Sequence, residues 1–150
     1  MKIRSATLSD LPTLRAYLQG IVEAERPMDE CLKNGHIEYY DPSSFIENEN
    51  ANLIVAEING HLLGCGAGVI RPSKDYYKHD QHLYLAMMYV EAEHRGKGIN
   101  AKIIKALIAW ARDKGVENCV LTVYPSNSGA IKAYEKLGFE TALLEMRLRP

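Results

Sequence analysis

Residues 90 to 115 read VEAEHRGKGINAKIIKALIAWARDKG, a polar turn followed by an amphipathic helix. Apolar residues recur at helical spacing from Ile99 to Trp110, and Gly115 is suited to end the helix in a left-handed conformation. The preceding residues 83 to 90, LYLAMMYV, are apolar on both faces, which predicts a strand buried in the middle of a sheet. The predicted order of elements is therefore strand, turn and helix.

The turn at residues 95 to 98, Arg-Gly-Lys-Gly, has the features of an anion-binding site. The first N–H groups of a helix have no internal partner, and the helix dipole adds roughly half a positive charge there. Gly96 and Gly98 allow the backbone to approach a ligand closely, and Arg95 and Lys97 add positive charge. A strand, a basic glycine turn and a helix in this order predict a phosphate-binding site.

Two nucleotide-binding motifs fit this turn poorly. A Walker-type loop needs Ser or Thr after Gly-Lys to reach a magnesium ion, but Gly98 follows Lys97 here. The dinucleotide fingerprint GxGxxA is formally present at Gly96, Gly98 and Ala101, but four polar residues separate it from the strand. The acid near the expected distance, Glu117, would open a strand rather than close one, which disfavours this interpretation.

A second motif lies between residues 127 and 139, Asn-x-x-Ala-x-x-x-Tyr-x-x-x-Gly-Phe, in which Asn127 can cap a helix and Gly138 can end it. The turn itself reads Arg-x-x-Gly-x-Asn over residues 95 to 100. Together these two patterns resemble the acetyl-CoA signature and a further motif of the GNAT superfamily of N-acetyltransferases. Asn100 stands where that family usually has Gly or Ala, so its side chain would either crowd the pyrophosphate or hydrogen-bond to it.

The resemblance covers most of the chain and implies a single GNAT-type N-acetyltransferase domain over residues 1–150. The implied fold class is α/β (α+β): a mixed, mostly antiparallel central sheet of six to seven strands with about four helices and splayed central strands. Residues 23–50 are predicted to form short helical pieces and loops. The residue patterns predict strands at 2–6, 51–58, 61–70, 83–90, 118–124 and 139–148.

By resemblance, acetyl-CoA is the cosubstrate. Its pantetheine arm is expected along the backbone of Met88 and Val90 and at Asn127, with Tyr134 pointing at the sulfur. No metal is implied, and His79-x-x-His82 lacks a third ligand of suitable spacing. The pyrophosphate is expected at the amides of Arg95, Gly96, Lys97, Gly98, Ile99 and Asn100.

The implied reaction is attack of a neutral amine on the thioester of acetyl-CoA. The amine must first lose a proton, because its ammonium form has a pKa of about 10. Tyr134 is predicted to be the general acid that protonates the leaving thiolate. The backbone near Met88 to Val90 is predicted to stabilise the developing oxyanion.

The general base does not follow from the motifs. The two positions where family members carry a catalytic Glu correspond to Tyr84 and Thr122, so both carboxylates are missing. His82, on the same strand face as Tyr84, is the predicted base. The alternative is a carboxylate acting through water, Glu23 or Glu25. These two belong to a locally negative segment, either a solvated helix end or an attractor for a cationic amine, whose acids are Glu23, Glu25, Asp29 and Glu30.

The predicted function is transfer of an acetyl group from acetyl-CoA to a primary amine of a small molecule or a peptide. Two alternatives stay open: a non-catalytic acyl-CoA-binding or sensing domain, and a transferase for a longer acyl group. The resemblance also admits a homodimer, because members of the family often dimerise through sheet edges or last strands.

Charge and composition exclude several other classes of function. The net charge is -1 at pH 7 and no run of Lys or Arg exceeds two residues, which argues against a nucleic-acid partner. No apolar run approaches the ~20 residues that span a membrane, and the start, MKIRSATLSD, has no apolar secretion core. The three cysteines, Cys31, Cys65 and Cys119, are scattered and suit a reducing compartment, so a cytoplasmic location is predicted.

Overall fold

Five strands form one sheet in the computed structural model, which describes residues 1–149. The strands are β1 (Lys2–Ser5), β2 (Ala51–Ile58), β3 (His61–Pro72), β4 (Gln81–Val90) and β5 (Cys119–Val120). They lie in the order β1-β2-β3-β4-β5, and every neighbouring pair is antiparallel except β4 and β5, which are parallel. The α-helices are α1 (Leu11–Glu25), α2 (Pro42–Glu47), α3 (Ile99–Asp113) and α4 (Ser128–Glu135).

This architecture confirms the predicted fold class, a mixed and mostly antiparallel sheet with four α-helices. Short 3-10 helices occupy Leu8–Asp10, Arg26–Met28 and Ala92–His94. No helix in the described part of the chain is both long and apolar enough to cross a membrane. The predicted count of six to seven strands is wrong, because the structure forms five within residues 1–149.

The sheet separates two hydrophobic clusters. Alternate residues of a strand point to opposite faces, so Leu53 and Val55 of β2 join one cluster while Ile54 joins the other. Helices α1 and α2 cover the first face, and α3 covers the second. Strand β4 is buried on both faces over much of its length, as its apolar sequence predicts.

A β-bulge interrupts β4 near its C-terminal end. Met87 has a positive φ of 51°, and the pairing with β3 shifts by one residue between Cys65 and Ala67. Gly66 makes room for this irregularity, because a Cβ there would lie 2.6 Å from the Met88 sulfur. Non-glycine residues with positive φ are strained and cluster at functional sites, which draws attention to this end of β4.

The last two predicted strands are corrected by the structure. Of the predicted strand at 118–124 only Cys119–Val120 forms, and residues 139–149 contain no strand. Strand β5 pairs with β4 at Leu83 and Tyr84 and then diverges from it. The segments 121–124 and 139–148 therefore have no neighbouring strand to satisfy their backbone groups, and a strand is defined by such pairing.

Candidate active site

The divergence of β5 from β4 opens a wedge along residues 85–90 of β4. In this part of the chain β4 is paired with β3 on one side, while among residues 1–149 no strand continues along its other side beyond Tyr84. The backbone of Met88 and Val90 lies at this free edge, where the sequence predicts the pantetheine arm. The wedge thus offers an extended ligand a strand edge to pair with.

The turn that follows β4 presents unpartnered amides. Gly96 and Gly98 have φ of 74° and 77°, a conformation that favours glycine, and α3 begins directly afterwards. The first helical hydrogen bond is donated by Lys102 N to Gly98 O at 3.2 Å. No acceptor within the described residues receives a hydrogen bond from the amides of residues 96–101. These amides form the start of a helix in the arrangement expected for a diphosphate.

Basic side chains flank this turn in two different ways. Arg95 donates from Nε to the Val90 carbonyl at 3.0 Å, and its guanidinium lies 5.9 Å from the Tyr89 ring centre. Arg95 therefore stabilises the position of the turn relative to the end of β4. Lys97 is exposed and forms no ion pair with any described residue, so its charge is available to a ligand. Asn100 is half-buried in the first turn of α3.

Helix α4 carries Tyr134 to the other side of the wedge. Asn127 caps this helix, because its Oδ1 accepts from Ala130 N at 3.2 Å, and Gly138 ends it with a φ of 94°. The Tyr134 ring packs edge-on against Phe139 at 5.8 Å and joins the α3-side cluster that Met88 also contacts. Burial, followed by the charge of Glu25, raises the pKa of Tyr134, so its hydroxyl keeps its proton at neutral pH.

The two positions where family members carry a catalytic Glu contact each other here. The Tyr84 hydroxyl and Thr122 Oγ1 lie 3.1 Å apart, within hydrogen-bond distance. The guanidinium of Arg71 sits 4.0 Å above the Tyr84 ring. This corner is therefore neutral to positive, and neither hydroxyl can take a proton from an ammonium near neutral pH.

The predicted base His82 lies at the start of β4, far along the strand from Val90. Its Nδ1 is 3.0 Å from Ser73 Oγ, which also contacts His79 at 2.8 Å. Burial and the neighbouring His79 and Arg71 lower the pKa of His82. Six residues of strand separate His82 from Met88, a distance of roughly 20 Å at 3.3 Å per residue. The structure does not bring His82 beside the bulge of β4.

The acidic segment divides into two kinds of residue that sequence alone does not separate. Glu23 is exposed and pairs with Arg26 at 2.8 Å, and Glu30 is exposed and pairs with Arg149. Asp29 is buried at 8% exposure, whereas Glu25 is half-buried and forms no ion pair among residues 1–149. The first two are solvated surface acids, and the last two face the interior.

Asp29 connects three segments that are distant in the sequence. Its Oδ2 accepts from the Tyr124 hydroxyl and from Arg147 Nη1, both at 2.8 Å, and its Oδ1 accepts from Cys31 N at 2.9 Å. These donors, Arg147 first, lower the pKa of Asp29 to about 2. The contact with Arg147 brings the segment after α4 back onto the acidic segment.

Glu25, the last residue of α1, faces a group of tyrosines. The Tyr39 hydroxyl is buried with no hydrogen-bond partner within 3.5 Å among residues 1–149, and burial followed by its interaction with the Glu25 carboxylate raises the pKa of Tyr39. Burial, then the Asp29 hydrogen bond and nearby charges including Glu25, raise the pKa of Tyr124 to about 12. The charge of Glu25 also raises the pKa of Tyr134, so the carboxylate lies toward the side of the wedge that carries α4.

The family model for "Acetyltransferase (GNAT) family" matches residues 18–139, so the chain belongs to the GNAT acetyltransferase family. Thialysine N-epsilon-acetyltransferase from Bos taurus is 41% identical over 142 residues, 91% of this chain and 82% of the relative. N-acetyltransferase 8 from Rattus norvegicus is 29% identical over 114 residues, 75% of this chain and 49% of the relative. The chain thus spans about half the length of the N-acetyltransferase 8 proteins that it matches.

Solved structures share the fold at low sequence identity. A mutant of a Bacillus halodurans protein superposes with a TM-score of 0.86 at 22% identity, covering 100% of this chain and 99% of that one. A predicted acetyltransferase from Clostridium acetobutylicum, solved with acetyl-CoA, has a TM-score of 0.77 at 20% identity, covering 99% and 95%. These likenesses confirm the GNAT-like fold.

Proposed function

We propose that this chain transfers an acetyl group from acetyl-CoA to a primary amine of a small molecule or a peptide. The observation that carries the proposal is the free edge of β4, which runs from the unpartnered amides at 96–101 toward the side of the wedge that carries Tyr134. The proposed domain spans residues 1–150. The proposed cofactor residues are Met88, Val90, Arg95, Gly96, Lys97, Gly98, Ile99, Asn100, Asn127 and Tyr134.

The residues present fit acetyl-CoA in both charge and shape. The diphosphate is anionic, and the amides at 96–101 with the free charge of Lys97 supply donors without a bound metal. The pantetheine arm contains amide groups, which pair with the unoccupied edge of β4 as an added strand would. The Clostridium acetobutylicum neighbour contains acetyl-CoA, which supports this assignment.

Tyr134 has the properties of a general acid for the leaving thiolate. Its raised pKa keeps the hydroxyl protonated, and no described residue accepts a hydrogen bond from it. Backbone N–H groups at the bulge of β4, near Met88 to Val90, are the proposed donors to the oxyanion. His82 stays a predicted base, although its hydrogen bonds are to Ser73 at the distant end of β4.

The proposed acceptor is a cationic amine that binds beside the acidic segment. Glu25 and Asp29 place two carboxylates near Tyr124 and Tyr134, and a primary amine arrives as an ammonium at neutral pH. The relative at 41% identity is named for thialysine, whose side chain ends in a primary amine. Thialysine, L-lysine and a lysine-containing peptide are therefore the first substrates to compare.

Thermal unfolding with acetyl-CoA tests the cofactor site, with NAD and ATP as controls. A ligand at 100 times its dissociation constant stabilises a fold by about 2.7 kcal/mol, which is a visible shift. We expect acetyl-CoA to raise the melting temperature while NAD and ATP leave it unchanged. Thialysine, L-lysine or the lysine-containing peptide should then cause release of CoA from acetyl-CoA. A shift without CoA release from any amine would favour a non-catalytic sensing domain, and faster turnover with longer thioesters would favour transfer of another acyl group.

We also propose that two copies associate through the segment at 139–149, the tail. Four large apolar side chains of the tail are 79–93% exposed: Leu143, Leu144, Met146 and Leu148. Burying each contributes about 1.5–3 kcal/mol, so the eight in two chains would contribute roughly 12–24 kcal/mol. Association costs about 4–15 kcal/mol, so this surface is sufficient for a dimer.

The cellular location is proposed from the cysteines. Cys31, Cys65 and Cys119 are all free, and Cys65 is buried at the bulge, where its Sγ lies 3.5 Å from Met87 O. Free cysteines suit a reducing compartment, and we propose the cytoplasm.

A further inference from the structure

We infer that Glu25 accepts the proton from the ammonium of the acceptor substrate, in place of the carboxylates that Tyr84 and Thr122 replace. This inference rests on the proposed function. It also assigns the acceptor ammonium to the space between the end of α1 and the Tyr134 side of the wedge.

Hydrogen bonds of nearby residues hold the end of α1, and with it Glu25, close to α4. Glu25 ends α1, and one helical turn later Asp29 is held by the Tyr124 hydroxyl at 2.8 Å. The Tyr124 carbonyl in turn accepts from Asn127 N at 2.9 Å, and Asn127 caps the helix that carries Tyr134. A short series of hydrogen bonds therefore ties the end of α1 to the start of α4.

Two polar groups face each other here and keep hydrogen-bonding capacity that an ammonium would use. The Glu25 carboxylate is half-buried yet forms no ion pair or hydrogen bond within 3.5 Å among residues 1–149. The Tyr39 hydroxyl is buried and faces this carboxylate, and it has no hydrogen-bond partner within 3.5 Å among the described residues. Buried polar groups with unused hydrogen-bonding capacity are unfavourable, so a ligand that pairs with them is bound more tightly. An ammonium offers three donors, for the Glu25 carboxylate and the Tyr39 oxygen.

The charged and titratable groups around Glu25 favour a base over a permanent ion pair. Among the described residues, Asp29 is the only acid that acts on Glu25, and Asp29 is itself paired with Arg147 at 2.8 Å. Burial raises the pKa of Glu25, the Tyr39 hydroxyl partly opposes this and Asp29 adds to it, so the net shift is upward and makes Glu25 a better proton acceptor. The other titratable groups facing Glu25 are Tyr39, Tyr40, Tyr124 and Tyr134.

The competing positions are less suited to this step. Asp29, with a pKa of about 2, is a weak base whose oxygens are occupied by Tyr124, Arg147 and a backbone amide. His82 lies near the cation of Arg71, which disfavours both protonation and approach of an ammonium. Glu25 instead acts on the pKa of Tyr134, so the acid and the base of the reaction belong to one site.

The proton balance of the step is complete without a metal or a redox partner. Glu25 takes one proton from the ammonium, and the free amine forms a bond to the thioester carbon while the bond from carbon to sulfur breaks. Tyr134 gives its proton to the departing sulfur and regains one from the nitrogen of the new amide. Glu25 then releases its proton to water, so each turnover yields an amide, CoA and one proton.

The test replaces Glu25→Gln, which preserves shape and removes the proton acceptor. We expect kcat/KM for the preferred amine to fall by about 10²- to 10⁴-fold. The wild-type rate should rise with pH as Glu25 ionises, which gives the pH–rate profile a rising limb. The Glu25→Gln variant should lose this rising limb. The acetyl-CoA thermal shift should be unchanged. Glu25→Asp should retain the limb. The matched control is Glu23→Gln, whose side chain is 66% exposed and pairs with Arg26, and it should behave as wild type.

Three outcomes would overturn the inference. Glu25→Gln with the wild-type rate and pH profile removes Glu25 from the reaction while leaving the proposed function intact. A raised KM with unchanged kcat and an intact pH limb makes Glu25 a substrate-binding residue and not the base. No transfer by the wild-type protein to any amine, despite an acetyl-CoA shift, overturns the proposed function and the assignment of Glu25 together.

Discussion

At the residue scale, burial determines which hydroxyl can act as an acid. Tyr134 and Tyr84 are both tyrosines beside the wedge, but Tyr84 is hydrogen-bonded to Thr122 and stacked under Arg71. Tyr134 is more isolated, and burial followed by the charge of Glu25 raises its pKa. The two side chains therefore differ in environment and not in chemistry: among residues 1–149 the Tyr134 hydroxyl has no hydrogen-bond partner, which suits the acid role proposed for it.

Replacing Tyr134→Phe removes the hydroxyl and keeps the ring that packs against Phe139. We expect kcat to fall by about 10²- to 10⁴-fold, because the thiolate would leave without an acid. Acetyl-CoA affinity, measured by titration calorimetry, should change little. Tyr76→Phe is the matched control, since Tyr76 is 79% exposed, and it should keep full turnover. Equal turnover in the Tyr134 variant would exclude it as the acid.

Asp29 provides a second residue-scale prediction, with a defined dependence on pH. Its folded pKa of about 2 lies below its ordinary value of 3.8, so it stabilises the fold above pH 3.8. That stabilisation is lost as the pH falls through about 2, where the folded carboxyl protonates. We expect Asp29→Asn to melt at a lower temperature than wild type at pH 7, with the difference shrinking below pH 4.

Calorimetric melting of both proteins between pH 7 and pH 2 measures this difference. Asp41→Asn is a useful comparison, because Asp41 also has a lowered pKa but is bonded only within its own turn, to Ser43. A constant gap between wild type and Asp29→Asn down to pH 2 would contradict the assigned cause.

The same residues show what sequence could and could not predict. Local chemistry was predictable: Gly96, Gly98, Gly115 and Gly138 all adopt the positive φ that their turns require, and Asn127 caps its helix. Contacts between distant residues were not, since Tyr84 and Thr122 are 38 residues apart and Tyr124 and Asp29 are 95 apart. Helical spacing could not show that Glu25 faces the interior while Glu23 pairs with Arg26 at the surface.

At the element scale, the strand, turn and helix from β4 to α3 form as the sequence predicts because their signals are local. Apolar content, two glycines and a helical period are contained in some thirty residues. The segments 118–124 and 139–148 have equally suitable strand sequences but largely fail to form strands. Their pairing depends on another segment lying alongside, and residue patterns within a segment contain no information about that neighbour.

The turn before α3 gives an element-scale prediction. Replacing Gly98→Ala forces a side chain into a φ of 77°, at a cost of about 1–2 kcal/mol, and should disturb the amides that follow. We expect weaker binding of acetyl-CoA together with lower stability. Gly60→Ala is the matched control, because Gly60 has a φ of 81° with no atom near its added Cβ, in the β2–β3 turn. Gly60→Ala should lower the stability of the fold and leave the affinity for acetyl-CoA unchanged.

Titration calorimetry and urea unfolding of both variants separate the two effects. Equal loss of stability with weaker acetyl-CoA binding only in Gly98→Ala would assign the amides to the cofactor. Unchanged acetyl-CoA affinity in Gly98→Ala would remove the turn from the proposed site.

At the scale of the whole molecule, the tail carries a run of four large apolar side chains that remain uncovered. Arg147 and Arg149 hold its end against the acidic segment, while its leucines and methionine point to solvent. The segment at 121–124 likewise has no partner strand among residues 1–149. In the proposed dimer a second copy of the chain covers the tail and lies beside the segment at 121–124, which borders the proposed active site.

Sedimentation velocity tests the dimer directly. We expect wild type to sediment as a dimer and the double variant Leu144→Lys with Met146→Lys to sediment as a monomer, because two charges per chain would have to be buried. Leu8→Lys is the control, since Leu8 is 51% exposed at the other end of the chain, and it should remain dimeric. A monomeric wild type would contradict the proposal.

The unpartnered amides at 96–101 also bear on how such an enzyme would respond to metabolism. In the proposed complex they face the diphosphate, the part of the cofactor that acetyl transfer leaves unaltered. Free CoA should therefore compete for the same amides with an affinity close to that of acetyl-CoA. Product inhibition follows, and the rate in a cell would track the ratio of acetyl-CoA to CoA more closely than the concentration of acetyl-CoA itself.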